Sequence, residues 1–309
     1  MANPRLLAFA QLMRAPNVFT AFADIALATA AGVAVMPDVP GSFWLSALLL
    51  ALTSGCLYLA GMVWNDFFDR AEDAAARPFR PLPSGRVSVR TAVLLGVVLF
   101  ACGLGFAVLA GMPGDTAWNP SPFAYAIAIL LAVLIYDGGV KRTPAGPVAM
   151  ASCRFLNVLL GLSSIPETAL DLEIRIQLAG VVGVYIVGVT WFARTEEGRS
   201  SSRHLLSAAT VIAVSLVLAL VLKAKLPPES GSVTFPYLLV LFGFLIGRPI
   251  ARAVSDPGSR NVQVAVKRCV LGLVVLDAIL ATAFIGLPGL AILLLLPPAL
   301  VIGKWVYST

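Results

Sequence analysis

The chain is organised by apolar runs of about twenty residues, each closed by a short polar or charged connection. A helix needs a run of about that length to cross the hydrocarbon core of a bilayer. Within that core, only helices and closed barrels satisfy their own backbone. Runs near 18–36, 43–63, 91–111, 122–140, 145–163, 176–193, 205–223, 235–254, 267–285 and 287–303 predict nine or ten spans, the last short and broken by Pro288, Pro297 and Pro298. Of the 309 residues 59% are hydrophobic and 12% charged, whereas soluble domains carry about 25% charged residues. The expectation is an all-α, polytopic membrane bundle forming a single domain over residues 1–309.

The net charge of +6 is explained by the placement of its cations. With the N-terminus inside, 17 of the 22 Lys and Arg fall on the inner side, and the outer connections hold only Arg175, Lys223 and Lys225. That asymmetry follows the positive-inside rule and puts the charged motifs below on the cytoplasmic face. Nucleic acid is not an expected partner. Arg5 and Arg14 precede a first run that reads as a retained span rather than a cleaved signal. The four cysteines show no metal-ligand spacing and read as packing residues. His204 is the single histidine, which excludes a multi-histidine metal site.

Against this apolar background stands Trp64-Asn65-Asp66-Phe67-Phe68-Asp69-Arg70-Ala71-Glu72-Asp73. On a helix Asp66, Asp69 and Asp73 share one face, with Asn65 beside them. Carboxylates at a membrane edge are costly unless paired or metal-bound. Mg²⁺ takes such oxygen ligands together with substrate phosphates. The alternative is a solvated acidic helix end paired with Arg70 and Arg77. Arg80-Pro81-Leu82-Pro83-Ser84-Gly85-Arg86 follows as a stiff basic turn, whose Arg80 and Arg86 suit phosphate oxygens.

Asn65-Asp66-x-x-Asp69-x-x-x-Asp73 with Arg80-Pro81-x-x-Ser84-Gly85 resembles the first signature of the UbiA superfamily of intramembrane prenyltransferases. The resemblance implies about nine helices around a lipid-open central cavity. It also implies Mg²⁺-dependent ionisation of a prenyl diphosphate and transfer of the prenyl group to an acceptor, often aromatic. Tyr136-Asp137-Gly138-Gly139-Val140-Lys141-Arg142 resembles the family's Tyr/Lys element with one extra residue between Tyr and Lys. Lys141 and Arg142 are phosphate candidates, or ordinary positive-inside anchors, and Tyr136 a cavity residue. Arg154 and Asn157, one turn apart in a span, either face the pocket or make a structural ion pair with Asp24 or Asp277. Asn17 resembles the family's first-helix Asn and is placed near substrate. Phe67, Phe68, Tyr136 and Phe155 are candidates for an aromatic wall.

The family's second acidic motif is reduced here to Trp191-Phe192-Ala193-Arg194-Thr195-Glu196-Glu197-Gly198-Arg199. Ala193 and Ser200 stand where a partner carboxylate is expected. The resemblance therefore implies Mg²⁺ on Asp66, Asp69 and Asp73 with Glu196 or Glu197, Glu197 being the catalytic one of the two. It implies diphosphate on Asn65, Arg80, Lys141, Arg142 and Arg199, and substrate near Asn17, Tyr136, Arg154 and Asn157. The Tyr-Asp-Gly-Gly, Cys-Arg-Phe-Leu-Asn and Thr-Glu-Glu-Gly stretches are similar to the divergent EboC-like branch, which implies a bacterial inner-membrane protein of secondary metabolism. Its expected partners are a prenyl diphosphate, a small-molecule acceptor and membrane lipid. The missing carboxylate keeps open a second reading, a non-catalytic relative that binds or helps export a prenylated or aromatic precursor. A third, an ion-coupled transporter using Asp24, Arg154 and Asp277, leaves the Asp66-to-Arg86 signature unexplained.

Overall fold

The structure, a computed structural model, describes residues 4–36, 38–112, 117–194, 200–226 and 233–306. The chain runs through α1 (Pro4–Leu12), a 3-10 turn at Ala15–Asn17, α2 (Val18–Val35), α3 (Gly41–Ala76), α4 (Val89–Ala110), α5 (Ser121–Asp137) and α6 (Gly146–Leu162). It continues through α7 (Leu172–Ala193), α8 (Ser202–Lys225), α9 (Phe235–Ser255) and α10 (Ser259–Ile285). A 3-10 segment, Leu287–Leu295, then leads into α11 (Leu296–Gly303). Among the described residues seven helical segments are long and apolar enough to cross a membrane, and α5, α6 and Leu287–Gly303 are shorter apolar ones. The ten apolar runs are thus helical, and among the described residues seven of them reach the length of a full span. At 17 residues each, α5 and α6 extend about 25 Å, less than the ~30 Å of a typical hydrocarbon core.

Helix starts follow local chemistry. Pro122, Pro147 and Pro236 stand in the first turns of α5, α6 and α9, where a missing backbone N–H costs nothing. The hydroxyl of Ser88 caps α4 by accepting the Thr91 N–H. Helix α2 packs against α3, α6 and α10, and α10 also against α7 and α9. These two helices are the most deeply buried of the spans. Helices α4, α8 and α9 turn Leu94, Val97, Val217, Leu220, Leu241 and Phe244 outward. That costs nothing in lipid, whose tails are as apolar as leucine.

Close approach of α2 and α6 depends on Gly161. A Cβ there would lie 2.6 Å from the Ala28 Cβ and 3.3 Å from the Ile25 Cα. Overpacking of this kind costs roughly 1–3 kcal/mol. Gly161→Ala is therefore expected to lower the Tm of the purified protein, and an unchanged Tm would contradict the contact.

The sequence pattern places Arg175 among the cations of the outer connections. The structure instead puts it in the first turn of α7, buried and turned inward. Its Nε donates to the Leu170 carbonyl at 2.9 Å and Nη1 to that of Leu162 at 2.6 Å. Nη2 reaches the carbonyls of Ile165 and Pro166, both at 2.8 Å. One guanidinium thus satisfies the carbonyl of the last α6 residue and the chain that leaves it.

Candidate active site

The acidic stretch is the last part of α3, which runs unbroken for 36 residues from its apolar start. Its three aspartates do not converge on one partner. Asp73 receives Arg80 Nη1 at 2.7 Å and Arg77 Nη1 at 3.7 Å. Asp66 lies 3.6 Å from the same Arg80 nitrogen and 3.4 Å from Arg14 Nη2. Asp69 faces another element and accepts Lys141 Nζ at 2.7 Å and Arg142 Nη2 at 3.1 Å. The shared face expected from the spacing therefore divides, Asp66 and Asp73 toward Arg80 and Asp69 toward the α5–α6 turn.

Two glycines make these placements possible. Gly85, at φ 73°, closes the basic turn, and Arg80 comes out buried against the two aspartates. Arg86 leaves the cluster: it donates to Gln11 at 2.6 Å and to the Phe79 carbonyl at 2.7 Å, tying α1 to the turn. Gly139 takes φ 147° between α5 and α6, a conformation that residues with a Cβ avoid. Lys141 is thereby carried back onto Asp137 at 3.3 Å as well as onto Asp69.

Three residues not singled out in the sequence as site candidates join the cluster. Asp137, almost fully buried, accepts Asn65 Nδ2 at 2.7 Å. Arg14 donates to Asn65 Oδ1 at 3.1 Å from a left-handed backbone at φ 45°, uncommon for a residue other than glycine. Tyr58 stacks its ring 5.4 Å from the Arg154 guanidinium carbon. In the sequence Arg14 reads only as one of the inner-side cations, and neither Asp137 nor Tyr58 has a role assigned to it.

Below the charged cluster lies a cavity of about 80 Å³ whose walls include Tyr58, Asn65, Tyr136, Asp137, Arg154 and Asn157. Arg154 lines this space and also pairs with Asp24 at 3.2 Å. Asn157 donates to Asp24 at 2.7 Å. Asn17 sits at the start of α2 with its side chain against the Tyr58 hydroxyl. The aromatic wall differs from expectation: Tyr58 and Tyr136 line the cavity, whereas Phe67 and Phe68 cluster with Trp64, and Phe155 packs into the core toward Gly183. Glu196, Glu197 and Arg199 lie outside the described residues. His204 lies at the start of α8, 3.2 Å from the Trp191 carbonyl.

No three acidic, histidine or cysteine side chains among the described residues are gathered as a metal cage. The donor chemistry nevertheless suits Mg²⁺, which commonly takes one or two carboxylates and completes its shell with waters and phosphates. One cation, the Lys141 ammonium, is already shared between Asp69 on α3 and Asp137 on α5. Oxygen ligands on two helices thus approach a common positive charge.

These features define a multi-pass helical membrane protein with interleaved carboxylates and bases above a largely apolar cavity. The chain belongs to the UbiA prenyltransferase family, whose sequence model matches residues 25–271. It is similar to the digeranylgeranylglyceryl phosphate synthase of Methanopyrus kandleri, 30% identical over 210 residues that cover 63% of this chain and 71% of that one. Other synthases of that description align over 39–51% of their own length. Among solved structures, one of digeranylgeranylglyceryl phosphate synthase shares the fold with a TM-score of 0.62 at 17% identity, covering 91% of this chain and 99% of that one. A UbiA homologue from Archaeoglobus fulgidus, solved with GPP and Mg²⁺, gives a TM-score of 0.55 at 14% identity, covering 86% of this chain and 99% of that one.

Proposed function

We propose that the protein transfers a prenyl group from a prenyl diphosphate to a small-molecule acceptor within the membrane. The carrying observation is the set of exchangeable ion pairs at the cavity mouth. Arg80, Lys141 and Arg142 are each held by a carboxylate of the acidic stretch. A diphosphate can draw those bases to itself while freeing Asp66, Asp69 and Asp73 to hold Mg²⁺, with Asn65 and Asp137 alongside and Glu196 or Glu197 from the α7–α8 connection. The metal would supply a Lewis acid for the departing phosphate oxygen. Arg80, Lys141, Arg142 and Arg199 stabilise the charge that develops on the leaving diphosphate. Tyr58, Tyr136, Arg154 and Asn157, with Asn17 behind Tyr58, form the wall against which the allylic carbon meets its acceptor. A cavity of about 80 Å³ is smaller than usual ligand pockets of ~300–1,000 Å³. The prenyl tail accordingly extends into lipid or opens the space as the ion pairs exchange.

The acceptor is an aromatic or other small molecule, and the resemblance to EboC-like proteins supports a role in bacterial secondary metabolism. A second reading has its own support: α7 ends at Ala193, where an acid is expected four residues before Glu197. On that reading the protein binds or helps export a prenylated or aromatic precursor without turnover. Purified protein given labelled geranyl, farnesyl and longer diphosphates, membrane extract and Mg²⁺ is expected to yield a labelled lipid-soluble product, abolished by EDTA and restored by added Mg²⁺. Diphosphate binding without product at any chain length would reject transfer in favour of the second reading.

A further inference from the structure

Two carboxylates lie in the bundle interior, away from the acidic stretch: Asp24 on α2 and Asp277 on α10, both fully buried. Asp24 lies about 9 Å along α2 from its start. Its Oδ2 accepts Arg154 Nη1 at 3.2 Å and Asn157 Nδ2 at 2.7 Å. Among the described residues its Oδ1 and both oxygens of Asp277 have no hydrogen-bond donor. Yet the two carboxyl groups lie within hydrogen-bonding reach of each other. Two ionised carboxylates in that position offer acceptors only and repel.

The charges do not balance either. Among the described residues Arg154 is the one cation that salt-bridges the pair, and it does so through Asp24. Two anions against one guanidinium leave a net negative charge among apolar helices, where an uncompensated carboxylate is costly. The described residues around the pair offer no second positive charge. From α2 comes Thr20, which accepts Arg154 Nη2 at 2.6 Å. From α3 comes Tyr58, under the guanidinium. From α6 comes Asn157, already committed to Asp24 and the Ala21 carbonyl. From α7 comes Tyr185, which donates to the Cys269 carbonyl at 2.8 Å.

We infer that the Asp24–Asp277 pair is a proton-binding site, holding one proton on Asp277 that is donated to Asp24 Oδ1. This single proton removes the excess charge, supplies the donor that Asp24 Oδ1 lacks and turns Asp277 from an orphan into a partner. Asp24 remains the anion that balances Arg154. Because Arg154 lines the cavity, the proton on α10 leaves the guanidinium in the cavity wall balanced by one carboxylate rather than outweighed by two. The inference is independent of prenyl transfer, and its readouts involve no turnover.

Infrared spectroscopy of the purified protein in lipid nanodiscs at neutral pH tests it. The expected result is a protonated-carboxyl stretch that shifts on isotopic labelling of the aspartate carboxyl carbons and disappears in Asp277→Asn. That variant keeps a neutral donor beside Asp24, so its Tm should match wild type, whereas Asp24→Asn, which strips Arg154 of its counter-ion, should unfold at lower temperature. Should the asparagine variant not fold, Asp277→Ser, a smaller neutral donor, assigns the band in the same way. A wild-type protein without an aspartate-derived band, or a band indifferent to both substitutions, overturns the site. So does a Tm that rises with sodium in wild type but not in the Asp277 variants, which would make the occupant a metal cation.

Discussion

Asp69→Asn is expected to lower prenyl transfer by about 10²–10³-fold or more while leaving the fold intact. Losing one preorganised electrostatic contact to a transition state has an effect of that size, and Asp69 is the acid of α3 that meets the opposite loop. Both of its oxygens are engaged, one by Lys141 and the other by Arg142. The amide keeps the shape but offers no negative charge to a divalent ion, and Lys141 is left leaning on Asp137 alone. The loss should fall mainly on kcat, because an interaction realised in the transition state leaves substrate binding less affected. Asp73→Asn should behave differently: its partners are Arg80 and Arg77, so releasing Arg80 weakens diphosphate binding and raises KM. Steady-state kinetics on both variants, with Tm as a control for folding, separates these roles. Wild-type turnover in Asp69→Asn would remove this residue from the chemistry.

Arg175→Ala is expected to be the most destabilising single substitution outside the charged cluster. The carbonyls of Ile165 and Leu170 lose the donor that holds them, while those of Leu162 and Pro166 lose the guanidinium but still accept the Ile165 and Ala169 N–H groups. A buried polar group left unsatisfied costs about 1–3 kcal/mol, so two of them cost about 2–6 kcal/mol, a large share of the 5–15 kcal/mol that separates folded from unfolded domains. Arg175→Lys should recover little, since an ammonium on a flexible stem cannot reproduce a planar fork of donors. The yield of monodisperse protein and its thermal unfolding midpoint measure both changes. A Tm close to wild type in Arg175→Ala would show that the carbonyls find other donors.

The sequence revealed the helical layout because apolar runs and turn residues act locally. The run at 145–163 became Gly146–Leu162 and that at 205–223 became Ser202–Lys225. The apolar run ending at residue 63 is only the lipid-like part of α3, which continues to Ala76 through the acidic stretch read as helical and a final run of alanines, the best helix formers. The charged residues of the first signature were legible as a group, but their pairing was not. Which aspartate meets which base depends on Gly139 turning the α5–α6 loop back and on Arg14 adopting a left-handed backbone, neither of which has a pattern in residue spacing. The extra residue between Tyr136 and Lys141 looked like a departure from the family pattern. In the structure it is the glycine-rich turn that brings Asp137 and Lys141 together. Arg175 was misplaced for a related reason: counting cations by loop assumes that they point outward, and this one points in.

The short α5 and α6 have a kinetic consequence. They hold between them the turn that carries Lys141 and Arg142, while α3 alongside is more than twice as long. A bilayer meets helices shorter than itself by thinning, or flanking side chains stretch toward its surface. Either response brings the headgroup layer down to the two bases. A reactant dissolved in that leaflet arrives by lateral diffusion in two dimensions rather than from bulk water. Its effective concentration is its mole fraction in the membrane, so diluting the leaflet with inert lipid slows the reaction even when the amount per volume is unchanged.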